Sequence, residues 1–341
     1  MLGGASNADG GSSKVPLIYC TDLFHPHDDP DDHFDLATLY SIPEFDVRGI
    51  VLDQGEKQLQ RPGSIPVSQL NALSGRNISA VIGLKSKLNS PTDKALDQEK
   101  QFQGGVELIL GQLRQVTTRV DVITVGSVRD LIAAYNREPA LFKQKAGRIM
   151  VFIGEASNRD YREYNVEVDT NAFIGLMRSD LNIYWVPCFD GGLWKNEGHA
   201  SYWQAGHAAL LAQAPSGLIQ YFIYALEKET ADPIQFLGQP VDSRRREKLF
   251  QQVRNLWCTA IFRGLVTGAV VEGEYFTFEP VEVSVGDDAT IQYATGKESR
   301  RIMRFCVKDR AQFASGMTKE TAECFAHFPL KGPLEKAPAQ H

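Results

Sequence analysis

The chain has 341 residues, 43% of them hydrophobic, and its 42 acidic residues outnumber its 36 basic residues. This length and apolar content predict a globular protein with one large α/β domain or two ordinary ones. The acidic balance disfavours nucleic-acid binding, because a phosphate backbone is bound by a basic excess. No stretch approaches the ~20 consecutive apolar residues of a transmembrane helix, so no membrane association is expected.

The cysteines and the chain ends add few constraints. The five cysteines are widely spaced and include no C-x-x-C pair, so they indicate neither a disulfide framework nor a zinc signature. Most of them are predicted to be buried as small hydrophobic residues. Residues 1–14 are predicted to form a disordered tail and residues 331–341 a loose C-terminal tail. The leader lacks the apolar core of a secretory signal, so a cytoplasmic location and export after signal removal both stay open.

Between the tails, short apolar runs alternate with segments of helical period. Strands are predicted at 15–22, 45–53, 78–84, 119–126, 147–154 and 181–190, and helices at 31–42, 103–116, 127–145 and 169–179. Strands interleaved with helices predict a mainly parallel central sheet flanked by helices on both faces. Because no repeat and no long linker divides the chain, we expect a single domain over 15–330.

The last third of the chain has a different pattern. Helices are predicted at 200–215, 216–229 and 243–266, and antiparallel strands at 274–285, 289–294 and 300–307. We interpret these elements as a helical and antiparallel β extension at the C-terminus of the same α/β domain.

An acidic segment follows the first predicted strand. From Asp22 to Asp35 it contains six aspartates and no basic residue, and without it the chain has equal numbers of acids and bases. Ligands of open α/β sheets bind at the carboxyl ends of strands, and carboxylates converging there repel each other unless a cation lies among them. Oxygen ligands favour Ca²⁺ or Mg²⁺, while three histidines in the segment leave a transition metal open. The alternative is a solvated acidic loop that caps the next helix.

Four segments resemble, in order, the inosine–uridine-preferring nucleoside hydrolases. An apolar strand, then Thr21-Asp22, then Asp31-Asp32 at a helix start, is similar to that family's Asp-x-Asp-x-x-x-Asp-Asp pattern. GSVRD at 126–130 is similar to the family's Gly-Pro-Leu-Thr-Asn, and EYNVEVD at 163–169 resembles Glu-Phe-Asn-x-x-x-Asp-Pro-Glu-Ala. A strand ending in Asp190 follows. The resemblance covers roughly residues 15–195 and reaches about 265 more weakly.

The resemblance implies a nucleoside-hydrolase-like fold with a Ca²⁺ that holds ribose hydroxyls and a water at the carboxyl edge of the sheet. By position, Asp22 would bind the metal and take the proton of the water. Asp31 and Asp32 would be metal carboxylates beside it, and Arg129 would contribute only a backbone carbonyl. The implied reaction is hydrolysis of the N-glycosidic bond of a ribonucleoside or related ribosyl compound through an oxocarbenium-like state.

The resemblance also implies contacts to the small-molecule substrate. Glu163 and Asn165 match residues that hydrogen-bond the ribose, and Asn158 matches a third such residue after a one-residue gap. The alternative for Glu163 and Asn165 is a polar surface loop. Members of the family often form dimers or tetramers, so a homo-oligomer is compatible with the resemblance.

The acidic segment departs from the family pattern in two respects. Eight residues instead of three separate Asp22 from Asp31, so Asp28 and Asp29 compete for the role of metal ligand. Cys20 stands where the family commonly has another Asp.

A more serious departure is the absence of the family's C-terminal His-Asp pair. The corresponding stretch is 255–260, where Trp257 can stack on a base but cannot act as an acid. Cys258 would be an odd ligand for a hard cation, although Asn255 or Thr259 could offer an oxygen.

These departures leave three functional interpretations. The first is a metal-dependent N-ribosyl hydrolase. The second is a non-catalytic protein of the same fold that binds a cation and a sugar or nucleoside, which the Trp257-Cys258 replacement favours. The third is a metal-dependent hydrolase of another ester or phosphate. Two pairs of residues are ambiguous as well: Asp53-Gln54 either line the pocket or form a strand-ending turn, and His199 and His207 either pack elsewhere or overhang the pocket mouth.

Overall fold

A computed structural model describes residues 14–157, 159–266, 273–296 and 298–331 of the chain. The predicted tails therefore lie almost wholly outside the described residues. The strands are β1 (Val15–Thr21), β2 (Phe45–Leu52), β3 (Ala80–Ile82), β4 (Val120–Thr124), β5 (Ala146–Phe152), β6 (Ile183–Val186), β7 (Trp203–Gly206), β8 (Val253–Leu256), β9 (Phe276–Val285), β10 (Ile291–Tyr293) and β11 (Arg300–Val307).

The helices flank the strands. They are α1 (Asp31–Ser41), α2 (Gly55–Gln58), α3 (Ser64–Ser74), α4 (Gly104–Gln115), α5 (Arg129–Arg137), α6 (Pro139–Lys145), α7 (Tyr164–Val168), α8 (Thr170–Arg178), α9 (His207–Leu211), α10 (Ser216–Leu226), α11 (Pro233–Leu237), α12 (Ser243–Phe250) and α13 (Arg310–Ala326), with 3₁₀ turns at Lys100–Phe102 and Thr259–Leu265. Within the described ranges, no helix combines the length and apolar character needed to cross a bilayer.

Nine strands form one sheet in the order β10-β9-β11-β6-β5-β4-β1-β2-β3. Neighbours from β11 to β3 pair in parallel, whereas β9 pairs antiparallel with both β11 and β10. The predicted mainly parallel α/β sheet with antiparallel C-terminal strands is confirmed. Those last strands continue the main sheet, because β11 joins β6 directly.

The central strands are buried on both faces. In β1, Leu17 and Tyr19 belong to the hydrophobic core on one face, and Ile18 and Cys20 belong to the core on the other. This alternation explains why the strand reads as a continuous apolar run, as expected for a parallel strand covered by helices. All five cysteine thiols are free, and four of them are buried.

Three predicted helices differ from the observed elements. The helix predicted at 127–145 is interrupted at Glu138, since Pro139 disfavours helical geometry in the residue before it and begins α6. Part of 200–215 forms β7, and 243–266 divides into α12, β8 and a 3₁₀ turn. β8 pairs with β7, and Thr259 has a φ of 40°, which an α-helix excludes. Helices α3 and α13 were not predicted.

Candidate functional site

A cavity of about 470 Å³ lies at the carboxyl edge of the parallel strands. Asp22 follows β1, Val125 follows β4, and Phe152 ends β5, so three neighbouring strands deliver residues to it. Its lining consists of Asp22, Phe24, Asp28, Asp29, Asp31, Asp32, Val125, Phe152, Tyr161, Glu163, Tyr164, Asn165, Cys188, Phe189, Leu193, Trp194, Trp257 and Cys258. Most of the residues predicted for the site therefore line one cavity, although they are spread over more than two hundred positions of the chain.

Asp22, which is partly exposed to the cavity, lies beside a buried aspartate, Asp53. Gln54 Nε2 donates to Asp22 Oδ2 at 3.4 Å, while Asp53 accepts hydrogen bonds from the backbone N–H groups of Gln54 (2.6 Å) and Ser127 (2.8 Å). Neither Asp53 nor Gln54 lines the cavity, so these two residues lie next to Asp22 but outside the lining. Removal from solvent, with the charge of Asp53 nearby, raises the pKa of Asp22 to about 8.

Asp31 and Asp32 begin α1 on the same wall. Thr21 Oγ1 donates a 2.6 Å hydrogen bond to Asp32 Oδ1, which ties the start of this helix to the end of β1. Burial raises the pKa of Asp31 and the pKa of Asp32 well above the usual range of an aspartate, and the charges of neighbouring aspartates raise both values further. The carboxyl groups of Asp22, Asp31 and Asp32 therefore lie close together, and ionising all three without a cation costs free energy.

The two competing aspartates of the long loop are in different surroundings. Asp28 is 58% exposed, and Arg61 Nη1 lies 2.6 Å from its Oδ1, with Lys57 Nζ at 3.8 Å from Oδ2. Partial burial opposes ionisation of Asp28, but Arg61 and Lys57 outweigh it and lower the pKa. Asp29 Oδ1 lies 3.8 Å from Arg254 Nη1, and burial raises the pKa of Asp29 despite that partner. Two bases thus already neutralise Asp28 at the cavity rim.

The side chain of Arg129 is buried outside the cavity lining. Its Nε lies 3.4 Å from Asp169 Oδ2 and 3.8 Å from Asp53 Oδ1, and its Nη2 donates to the carbonyl oxygen of Val168 at 3.0 Å. This guanidinium holds the loops beneath the cavity together. The role predicted for Arg129 concerns its backbone carbonyl alone and stays a prediction.

Glu163 and Asn165 lie at the start of α7. Both Glu163 oxygens accept backbone N–H groups, Oε2 from Gly154 and Oε1 from Asn165, each at 2.8 Å. Asn165 Nδ2 donates to the carbonyl oxygen of Val125 at 3.1 Å, while its buried Oδ1 has no hydrogen-bond partner among the described residues. Glu163 therefore shapes the turn, and Asn165 Oδ1 is left for a ligand. Asn158, predicted as a third ribose contact, lies outside the described residues.

Aromatic side chains form a second wall of the cavity, and Tyr202, which is not part of the lining, packs against them. Trp257, Trp194, Phe189 and Tyr202 pack with their ring centroids 5.5–6.0 Å apart, and Trp194 is 49% exposed. Sequence analysis proposed only Trp257. The glycine pair Gly191-Gly192 in the sequence could have indicated a turn just before Trp194. In the structure these glycines have φ values of 92° and 102°.

Cys258, in the stretch expected to correspond to the family's His-Asp pair, lines the cavity. Behind it, Asp35 Oδ1 accepts the backbone N–H of Thr259 at 2.9 Å, and burial raises the pKa of Asp35 to about 7. The oxygens of the two alternative residues are engaged elsewhere: Asn255 Oδ1 accepts from Gln204 Nε2 at 2.7 Å, and Thr259 Oγ1 from Thr321 at 3.1 Å. His207 is buried against Leu249, so it does not overhang the mouth.

No protein-family model and no curated protein matches the chain. Solved structures do match it. An inosine–uridine-preferring nucleoside hydrolase from Bacillus anthracis aligns over 91% of this chain and 100% of its own, with a TM-score of 0.53 and 11% identity. A plant nucleoside hydrolase aligns over 90% and 99%, with a TM-score of 0.56 and 14% identity. The type III effector protein XopQ, complexed with adenosine diphosphate ribose, aligns over 94% and 96%, with a TM-score of 0.52 and 12% identity. The chain therefore shares the nucleoside hydrolase fold along nearly its whole length.

Proposed function

We propose that the protein is a divalent-cation-dependent hydrolase that cleaves the N-glycosidic bond of a ribonucleoside or a related ribosyl compound. The observation that carries the proposal is one cavity lined both by the carboxyl groups of Asp22, Asp31 and Asp32 and by the neighbouring indole rings of Trp194 and Trp257, whose centroids lie 6.0 Å apart. A nucleoside offers matching groups: a hydroxyl-rich sugar for the carboxylate wall and a flat base for the indole rings. The shared fold supports the same conclusion.

The donor set suits a hard cation. Asp22, Asp31 and Asp32 offer carboxylate oxygens, which Ca²⁺ and Mg²⁺ prefer, whereas the Cys258 thiol does not suit either ion. The raised pKa values of these three aspartates are the cost of grouping them, and a cation offsets that cost. When bound, the cation would supply the positive charge that orients ribose hydroxyls and acidifies a water.

The protein side chains would carry the remaining steps. Ionised Asp22 would accept a proton from the attacking water, whose oxygen bonds to the anomeric carbon while the carbon–nitrogen bond to the base breaks. The base would leave with the electron pair of that bond and take up a proton. Asn165 Oδ1 is available to a ribose hydroxyl, and the buried Trp257 Nε1, which has no partner among the described residues, is available to the base.

A substrate panel tests the proposal. Protein reloaded with Ca²⁺ or Mg²⁺ after chelation is incubated with inosine, uridine, adenosine, guanosine and adenosine diphosphate ribose. Released reducing sugar is measured for the four nucleosides, and released adenine for adenosine diphosphate ribose, which is already a reducing sugar. We expect release from at least one compound, lost on chelation and reduced roughly 10²–10⁴-fold in Asp22→Ala. The control is Asp46→Ala, which removes a carboxylate that is paired with Arg48 on the surface, away from the cavity lining. Binding of these compounds without sugar release would overturn hydrolysis and favour a non-catalytic binding protein.

A further inference from the structure

A second group of metal-ligating side chains lies outside the cavity. His199, Glu279 and Cys306 each offer one ligand atom, and the three atoms lie within 4.8 Å of one another. Glu279 belongs to β9 and Cys306 to β11, two strands that pair with each other, whereas His199 belongs to the loop after β6, 80 and 107 positions away from them in the chain. Such spacing leaves no local motif, which explains why the sequence carries no zinc signature.

A buried carboxylate orients the histidine. Asp190 is 2% exposed, and its Oδ2 accepts the His199 backbone N–H at 3.0 Å and contacts the ring Nδ1 at 3.1 Å. Its Oδ1 accepts from Ser157 Oγ at 2.6 Å, so the carboxylate is held at both oxygens. A carboxylate at Nδ1 favours the tautomer protonated there and leaves the Nε2 lone pair free. Histidines that bind metals are commonly held by a carboxylate in this way.

The spacing of the three side chains is close to that of a zinc site. Zinc–ligand bonds of about 2.0–2.3 Å in a tetrahedron place ligand atoms roughly 3.3–3.8 Å apart. His199 Nε2 already lies 3.8 Å from Glu279 Oε1, and the widest separation needs to close by about 1 Å. Because the His199 and Glu279 side chains are 37% and 41% exposed, rotamer adjustment suffices. A nitrogen, a thiolate and a carboxylate suit a borderline cation such as Zn²⁺.

The surrounding charges are compatible with a divalent cation. Arg304 pairs with Glu279 and lies 4.9 Å over the ring of Tyr293. Binding would replace the Cys306 proton by the metal and release that proton to solvent. The 2+ ion and Arg304 would then balance the thiolate, Glu279 and Asp190, so the assembled group carries no net charge.

We propose that His199, Glu279 and Cys306 bind Zn²⁺ or a similar borderline transition cation, with Asp190 as the positioning residue for His199. Three protein ligands leave a fourth position open to water or a small anion. The site is separate from the carboxylate wall of the cavity, since none of its three ligands lines that cavity. It stands or falls independently of the proposed hydrolase activity.

Cobalt titration tests this site. The full-length chain is stripped with a chelator, reduced, saturated with Ca²⁺ to fill the oxygen-rich cavity, and titrated with Co²⁺. We expect a thiolate-to-cobalt charge-transfer band that saturates at one equivalent and disappears when Zn²⁺ is added. We expect Cys306→Ser to abolish the band, and Asp190→Asn to keep it while lowering cobalt affinity about 10–100-fold. His199→Gln should lower the affinity at least as much, with thermal unfolding recorded for each variant.

The control variants replace residues of the same three types at positions outside the proposed site. Cys324→Ser removes a buried thiol on α13, His327→Gln removes an exposed histidine, and Glu282→Gln alters a carboxylate three residues from Glu279; none should change the titration. The cavity thiol Cys258 is the competing source of such a band. A band that survives in Cys306→Ser, a band lost in Cys258→Ser, or no band in the folded wild-type protein would each overturn the proposal.

Discussion

Cation binding at the cavity should be coupled to proton release. The pKa of Asp22 is raised to about 8, so the protonated form of this carboxyl group predominates at pH 7 in the cation-free protein. A cation binds the ionised form, and its binding must therefore expel about one proton from Asp22 at pH 7, with further release from Asp31 and Asp32. Each coupled proton strengthens apparent Ca²⁺ affinity by about tenfold per pH unit.

The sign follows from the direction of the pKa shift. An acid whose pKa is raised by burial holds its proton below that pKa, so Ca²⁺ affinity should increase from pH 6 to about pH 8, where the contribution of Asp22 levels off; any increase above that pH would come from Asp31 and Asp32. Calorimetry in buffers of different ionisation enthalpy measures both the affinity and the number of protons released. Asp22→Asn should release fewer protons than wild type, while Asp46→Asn should match wild type. Ca²⁺ affinity that is constant from pH 6 to pH 8 would refute the raised pKa values and the ligand assignment built on them.

Three further changes test separate parts of the structure. Trp257→Ala should raise KM by roughly 5–150-fold through lost base stacking, equivalent to about 1–3 kcal/mol, whereas Trp257→Phe should retain most of it; unchanged KM would exclude the aromatic wall from substrate binding. Thr21→Val should destabilise the protein by about 1–3 kcal/mol in urea unfolding, because Asp32 and the Leu23 N–H lose their partner, and Thr21→Ser should restore it. Gly55→Ala should cost about 1–3 kcal/mol or more, since a Cβ there would lie 2.2 Å from the Gly83 carbonyl oxygen. Gly111→Ala, in the middle of α4 with open space around it, should instead stabilise the protein by roughly 0.5–1 kcal/mol.

The parallel sheet and the acidic wall could be predicted because their signals are local. An apolar run that ends in polar residues marks both the strand and the sheet edge to which it delivers its last side chain, as β1 does for Asp22. Asp31 and Asp32 lie at the start of the next helix, α1, which a local pattern also predicts. Short-range patterns of this kind depend little on the rest of the fold.

Apart from Trp257, the aromatic wall could not be predicted, and neither could the course of residues 243–266, because distant pairings decide them. Residues 253–256 follow helical periodicity in the sequence, yet they pair with β7, some fifty residues earlier. The left-handed Thr259 is held by the Asp35 carboxylate, more than two hundred residues away. Local propensity cannot register partners at such separations, and tertiary contacts override it.

The acidic segment itself divides into two sets with different partners. Asp28 pairs with Arg61 and Lys57, Asp29 lies 3.8 Å from Arg254, and Asp35 accepts a backbone N–H. The first two are compensated by basic residues from outside the segment. The remaining aspartates of the segment, Asp22, Asp31 and Asp32, line the cavity.

Those remaining aspartates, Asp22, Asp31 and Asp32, set the electrostatics of the proposed reaction. When all three are ionised around a divalent cation, the group keeps one net negative charge. Cleavage of an N-glycosidic bond develops positive charge on the sugar, so a residual negative charge beside it lowers the barrier. A fourth carboxylate at the position of Cys258 would add to that charge and to the cost of assembling the site, which already raises the pKa of Asp22 to about 8. In the proposed reaction, the thiol would therefore weaken cation binding, but the net charge next to the sugar would keep the negative sign that favours the transition state.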